Sequence, residues 1–276
     1  HEESILDAMI QTTRDNIAIP TLIGDSEFIK TYLDKKEFDY HQVAIIEETD
    51  PVAAANIAVD LVHNGEAQCI MKGEIKTAAL MKVILKADND LRTGRTISSL
   101  SIRELPNYHK LLGFADTGVC IAPSLNEKCQ IIENSVDILL SIGVERPKVA
   151  VACAIEYVNP KMPETLEAEE LKHMNQAGII NDCIVEGPIS YDLAVSKRSA
   201  QIKGYDSPVA GDADLILFPN LVSGNLTTKA LEYHAGVKGA AIITGAKVPV
   251  IFGSRSATTE FRYRSVALAA VSVQNL

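Results

Sequence analysis

Short uninterrupted apolar runs alternate along the chain with amphipathic stretches. Residues 43–46, 69–71, 149–153, 215–218, 240–244 and 248–252 read as strands buried on both faces. Helical patterns separate them. Pro51 stands where a helix N1 proline belongs, after Thr49 or Asp50 as cap, and Ala54, Ile57, Ala58 and Leu61 mark one face. Residues 77–86 predict a second helix, and 126–140 a third, with Ile131, Ile132, Val136 and Leu139 in a stripe. Residues 226–235 predict a fourth, capped by Asn225 and followed by Gly236 at C′. Residues 265–274 predict the last, with Val266, Ala269, Ala270 and Val273 on one side. Continuous apolar strands alternating with helices predict an α/β architecture, a mainly parallel sheet with helices on both faces. Such sheets bind ligands at the carboxyl ends of their strands, beside helix N-termini. The strand-to-helix turns are therefore the places to look for chemistry.

The chain has 276 residues, room for one large or two modest domains with ample core. Soft boundaries fall near Thr93-Gly94-Arg95-Thr96 and Gly245-Ala246-Lys247. They predict a discontinuous first α/β domain, 1–95 plus 246–276, and a second over 96–245. An apolar content of 47% with 22% charged residues excludes a disordered chain. The net charge of −10 and the absence of Trp disfavour a nucleic-acid partner. The five cysteines are odd in number and form no C-x-x-C pair, which argues against a zinc motif or a disulfide framework and for reduced thiols in a cytoplasm. No uncharged apolar run reaches the length of a membrane span, and no signal peptide is visible, so a cytoplasmic protein without a membrane partner is expected. His1 rather than Met stands first, so residues preceding it are expected to be missing.

Three turns carry candidate chemistry. The first is Met71-Lys72-Gly73, with Thr77 at the start of the next helix. A lysine, free backbone N–H groups and a helix dipole make an anion site, though an ordinary glycine turn with a solvated lysine has the same pattern. The second is Gly224-Asn225 with Lys229 four residues on, either two groups facing one mouth of the sheet or a capped helix and nothing more. The third runs from Gly253 to Glu260. Ser254, Ser256, Thr258 and Thr259 crowd hydroxyls around a helix start, and Arg255 adds a planar fork of donors suited to phosphate. A Ser/Thr-rich cap with a surface arginine is its plainer reading.

Other features carry less. Asp206, Asp212 and Asp214 read as solvated loop acids before they read as a Mg²⁺ site, since no Walker pattern accompanies them. Arg92 and Arg95 bracket Gly94, as phosphate clamps or as a solvated turn. Asp116 followed by Gly118 marks a turn. The histidines show no metal-ligand spacing. No G-x-S-x-G or G-x-G-x-x-G motif is present, which disfavours an α/β-hydrolase and a Rossmann dehydrogenase.

Taken in order, these turns resemble the phosphate acetyltransferase and phosphate butyryltransferase family. The resemblance runs from about residue 42 to the C-terminus. It rests on Met71-Lys72-Gly73 with Thr77, Leu91-Arg92-Thr93-Gly94, Ala115-Asp116 through Ala122-Pro123, and Asn159-Pro160-Lys161-Met162-Pro163. It continues with Glu186-Gly187-Pro188 through Ala194, Gly211-Asp212-Ala213-Asp214, Gly224-Asn225 with Lys229, and Pro249 through Ser254-Arg255. The short chain, the Asn-Pro-Lys-Met-Pro stretch and Lys72-Gly73 look more like the butyryltransferase branch. The resemblance implies two α/β/α three-layer domains with a cleft between them, like isocitrate- and isopropylmalate-dehydrogenase folds, and a homodimer. It implies a reversible reaction, acyl-CoA plus phosphate giving acyl phosphate plus CoA. No metal or tightly bound cofactor is implied; coenzyme A and phosphate are substrates.

Such an enzyme must align two anions that repel each other and then stabilise the oxyanion formed when phosphate attacks the thioester. By resemblance Arg255 binds phosphate, Ser254 hydrogen-bonds the CoA sulfur, and Lys72, Gly73, Thr77, Gly224, Asn225 and Lys229 line the cleft, with Arg92 or Arg95 adding positive charge. One departure matters. Family members commonly carry an aspartate shortly after the Ser-Arg pair, where this chain has Ala257, so Glu260 is the carboxylate left to act as base. This leaves room for a non-catalytic or divergent CoA- or acyl-phosphate-binding protein of the same fold. A decarboxylating dehydrogenase on a similar fold is a third reading.

Overall fold

The computed structural model describes residues 2–86, 89–254 and 256–274, the Gln274 side chain excepted. The chain divides into two compact units, His1–Gly94 with Ala240–Leu276, and Arg95–Gly239. Elements are numbered along the whole chain.

The first unit opens with α1 (Glu3–Arg14), β1 (Thr21–Gly24), α2 (Ser26–Lys35) and β2 (Ala44–Glu47). Leu6 and Ile10 of α1 pack with Ile29, Tyr32 and Leu33 of α2 and with Phe38. β1 and β2 pair in parallel. α3 (Pro51–His63) begins as its sequence demands: Pro51 is at N1, and the Asp50 carboxylate accepts the N–H groups of Val52 and Ala53 at 3.1 and 2.7 Å. β3 (Ile70–Met71) and α4 (Thr77–Ile84) follow. The chain later returns as β9 (Lys238–Thr244), β10 (Val250–Ile251) and α10 (Thr259–Gln274). The strand order here is β3-β10-β9, with β10 parallel to β3 and antiparallel to β9.

The second unit holds β4 (Ser98–Glu104), β5 (Leu111–Ala115), α5 (Leu125–Ser141), β6 (Lys148–Cys153) and α6 (Pro163–Gln176), then β7 (Ile184–Ser190), α7 (Tyr191–Val195), α8 (Lys197–Lys203), β8 (Leu215–Leu217) and α9 (Leu221–His234). Its strand order is β4-β5-β8-β6-β7, all parallel except the antiparallel pair β4-β5. One core joins Leu112, Phe114, Ala150, Ala152, Ile189 and Ile216 of the strands to Leu193, Ala194 and Ala200 of α7 and α8. α5 is closed at its start by a reciprocal Ser124–Glu127 capping box and lies against β4, β5 and β8. The mixed α/β architecture with a largely parallel sheet is the expected one.

Four local points depart from expectation. α9 starts at Leu221 rather than 226, and its cap is Asn220, whose side chain accepts the Ser223 N–H at 3.1 Å; Asn225 lies inside the helix. The run 248–252 contributes only Val250–Ile251 to the ladder. β1, β4, β5 and β7 carried no strand prediction. In β4 the reason is visible: Ser98, Ser99 and Ser101 are buried, a polar pattern that hydropathy reads as surface. The acids at 212 and 214 are ion-paired rather than solvated. Asp212 meets Lys148, Lys110 (3.1 Å) and His109 (2.8 Å), while Asp214 meets Lys110 at 2.6 Å and accepts the Lys148 N–H at 2.8 Å. This network sits where β6 and β8 begin, at the opposite end of those strands from the turns that follow them.

Candidate active site

In the first unit two candidate turns leave the sheet side by side. β3 and β10 are parallel neighbours, and the Lys72 N–H extends their ladder by donating to the Ile251 carbonyl at 2.9 Å. Lys72-Gly73 and Gly253-Ser254 therefore emerge at the same edge, the carboxyl ends of adjacent strands. Lys72 is half-buried, and its ammonium donates to the Gly73 carbonyl at 3.2 Å. A Cβ on Gly73 would meet nothing within 4 Å, so open space lies beside its backbone. Thr77 is exposed at the first position of α4, whose unpaired N–H groups carry partial positive charge. Ser254 is exposed, shares a 2.8 Å hydroxyl contact with Ser256, and its carbonyl accepts the Ala257 N–H at 2.9 Å. Arg255 lies outside the described residues.

Below this turn stands a residue that the sequence reading passed over. Arg262 in the first turn of α10 is 3% exposed, ion-paired with Glu2 and hydrogen-bonded to Ser4 Oγ at 3.1 Å. A Cβ on Gly253 would lie 3.4 Å from its guanidinium and 3.0 Å from the Ala257 methyl, so glycine lets the Ser254 turn sit down on this support. Burial pulls the Arg262 pKa down and Glu2 pulls it back up. Its signal was a charged residue at a core-facing helix position, which a hydropathy stripe cannot flag.

Glu260 is exposed in the same first turn. Its own backbone N–H and the Thr258 hydroxyl hold its carboxyl below the usual range, burial opposing slightly and Arg264 assisting. Arg92 is not brought to this edge. It forms an antiparallel bridge with Ala246 in the β9–β10 turn, at the amino end of β10.

In the second unit the cluster forms where β5 ends. The Asp116 carboxylate, 2% exposed, accepts the Ser99 N–H (2.6 Å) and hydroxyl (3.0 Å) and the N–H groups of Gly118 and Val119 (2.7 Å each). α9 packs onto this loop through Gly224. A Cβ there would lie 2.4 Å from the Asp116 carbonyl oxygen, so only glycine fits without movement. Asn225 Nδ2 donates to the Thr117 carbonyl at 3.1 Å. Lys229 follows one turn later, half-buried on α9. Arg95 is ion-paired with Asp137 of α5 at 2.5 Å, which already offsets its charge. Gly224, Asn225 and Lys229 are thus together, with Asp116 beneath them, and Arg95 is engaged elsewhere.

All five cysteines are unbridged, and burial raises their pKa values, to about 12 for Cys120, Cys153 and Cys183, so none is an activated thiolate. Among the described residues no group of three or more His, Cys, Asp or Glu could hold a metal ion, and no helix is long and apolar enough to cross a membrane.

The profile of the phosphate acetyl/butaryl transferase family matches residues 41–270. A phosphate acetyltransferase of Thermotoga maritima is 40% identical over 271 residues, covering 98% of this chain and 92% of that protein. A phosphate butyryltransferase of Clostridium acetobutylicum is 38% identical over 274 residues, covering 99% and 91%. The crystal structure of a branched-chain phosphotransacylase from Enterococcus faecalis V583 matches with a TM-score of 0.82 at 32% identity, covering 93% of this chain and 99% of that one. A putative 4-hydroxythreonine-4-phosphate dehydrogenase from Salmonella typhimurium matches at TM-score 0.60 and 14% identity over 98% and 97% of the two chains, a likeness of fold alone. Matched by the family profile through most of its length and by relatives nearly end to end, the chain belongs to the phosphate acetyl/butaryl transferase family.

Proposed function

We propose that this protein is an enzyme that moves a short acyl group reversibly between coenzyme A and inorganic phosphate. The observation that carries the reading is the parallel pairing of β3 with β10, which sets Lys72-Gly73 beside Gly253-Ser254 in a chain of this family. Cation, backbone amides and hydroxyl at one edge are what a phosphate and a developing oxyanion require. In the reaction, a phosphate oxygen attacks the thioester carbonyl. The C–S bond then breaks, and CoA departs as thiolate. Arg255 holds the phosphate and Ser254 donates to the sulfur as charge builds there. Lys72 and the start of α4 offset the approach of a second anion, while Asn225 and Lys229 serve substrate binding. Glu260 is the candidate base for the reverse direction, in which the CoA thiol must lose its proton. Relatives named for acetyl and butyryl transfer lie at 40% and 38% identity, so the butyryl preference is a proposal for assay.

The reading extends to a cytoplasmic homodimer with no tightly bound cofactor. Five unbridged thiols support the reducing compartment, and the dimer and the absence of a bound cofactor rest on the family resemblance. The test is release of CoA thiol from acetyl-, butyryl- and branched acyl-CoAs with and without phosphate. Phosphate-dependent release is expected, with Arg255→Ala sharply raising the phosphate KM. Release from none of them would end the reading. Ala257 and the locally engaged Glu260 favour one alternative, a protein that binds CoA or acyl phosphate without turnover. Calorimetric CoA binding without phosphate-dependent release would select it.

A further inference from the structure

Asp116 and Asn225 belong to one hydrogen-bonded relay in the second unit. The relay fixes which way the Asn225 carboxamide faces. Three consecutive N–H groups of the loop after β5 turn inward. That of Thr117 donates to Ser99 Oγ at 3.0 Å, and those of Gly118 and Val119 donate to Asp116. Ser99 is itself pinned to the Asp116 carboxylate through both its N–H and its hydroxyl. With its donors drawn inward, the loop directs the Thr117 carbonyl to α9, where it accepts from Asn225 Nδ2 at 3.1 Å. Gly224 lets α9 come close enough for that bond.

A carbonyl oxygen accepts only from a donor, so the amide nitrogen of Asn225 must be the atom facing Thr117. No donor among the described residues bonds Asn225 Oδ1. The group offered to a ligand is thus an acceptor. The unprotonated oxygens that carry most of the charge of phosphate are acceptors too and are repelled by it, leaving only a P–OH to donate. A neutral amide N–H is attracted without that repulsion.

We propose that Asp116 is a positioning residue acting through Asn225, and that Asn225 reads a hydrogen-bond donor on the pantetheine arm of coenzyme A rather than the phosphate. This rests on the reading of the protein as a CoA-dependent acyltransferase. The arm offers two secondary-amide N–H groups, present in acyl-CoA and free CoA alike.

The test measures initial rates against acyl-CoA and phosphate separately, together with CoA affinity by calorimetry. If the wild-type protein shows no phosphate-dependent transfer, the parent reading falls. If it turns over, Asn225→Leu, similar in shape but without the acceptor, is expected to raise the acyl-CoA KM about tenfold and leave the phosphate KM unchanged. Asp116→Asn, which sets an amide donor against the donors around it, is expected to act in the same direction. The double variant is expected to be no worse than Asn225→Leu alone. Additive effects, an unchanged acyl-CoA KM, or a rise confined to the phosphate KM would each overturn the proposal. If Asp116→Asn does not fold, the KM split of Asn225→Leu still decides the role of Asn225, and Ser99→Ala replaces it in the cycle. Desulfo-CoA, which keeps the arm amides and lacks the thiol, is a second probe: its Ki as inhibitor is expected to weaken about tenfold in Asn225→Leu, and an unchanged Ki would overturn the proposal.

Discussion

Glu260 shows how far one side chain can be read. Its carboxyl lies at the start of α10, engaged by its own N–H and by Thr258, and held below the usual carboxylate range. It is therefore ionised throughout the neutral range and is a weak base. A well-matched general base contributes a factor of about a hundred or more, so Glu260→Gln is expected to lower kcat for acyl-CoA formation from acyl phosphate and CoA by only about tenfold, with a flat pH–rate profile between pH 6 and 8. A kcat loss beyond a thousandfold in the variant would show that the carboxylate is better poised than its surroundings imply. Sequence alone made Glu260 a candidate by elimination. Its hydrogen bonds, set by the fold of the 254–260 turn, decide how strong a base it is. Arg262 is the converse case. Nothing in its spacing announced a buried guanidinium under the Ser254 turn, because the partners Glu2 and Ser4 come from the other end of the chain.

At the scale of elements, caps and contacts can be weighed against each other. Replacing a helical glycine by alanine ordinarily stabilises by about 1 kcal/mol. At Gly224 the added methyl would stand 2.4 Å from the Asp116 carbonyl, a backbone atom that cannot swing aside. Overpacking of that kind costs about 1–3 kcal/mol, so Gly224→Ala is expected to lower the melting temperature and disturb CoA binding. A raised melting temperature would refute the packing argument. The ion-pair network before β6 and β8 sets a second expectation. Burial alone would raise the Asp212 pKa, but Lys148, His109 and Lys110 outweigh it and hold the carboxyl well below its ordinary value. A group depressed in the folded state stabilises fully above its unfolded pKa, about 3.9 for Asp, and loses that contribution as pH falls through the folded value. Asp212→Asn is expected to be less stable at pH 7 and to show a flatter loss of stability below about pH 4. Parallel wild-type and variant denaturation curves across that window would exclude the linkage.

For the whole molecule, the net charge of −10 sets long-range repulsion against short-range attraction at the candidate site. Raising ionic strength from about 0.01 to 0.1 M shortens the Debye length from about 30 to 10 Å, which screens the distant acids more than cations in contact with the ligand. The value of kcat/KM for acyl-CoA is therefore expected to rise over this range, and a steep fall would mean that local cations govern the approach as well.

Class, alternation of elements and the three candidate turns were legible in the chain because they depend on local terms: runs of apolar residues, Pro51 after Asp50, hydroxyls and cations next to glycine. The strand Ser98–Glu104 was not legible, since its serines are buried only because Asp116, Asn134 and their neighbours satisfy them from afar. Nor was the true start of α9. Asn220 and Asn225 are equally good caps by type, and the choice falls to the contact between Gly224 and Asp116. Local pattern was enough for the architecture and for the residue types that carry the chemistry. That Lys72 and Ser254 share an edge, that Arg92 does not, and that Asn225 presents its oxygen came from the folded chain, because strand pairing and buried hydrogen bonds link residues that no local pattern connects.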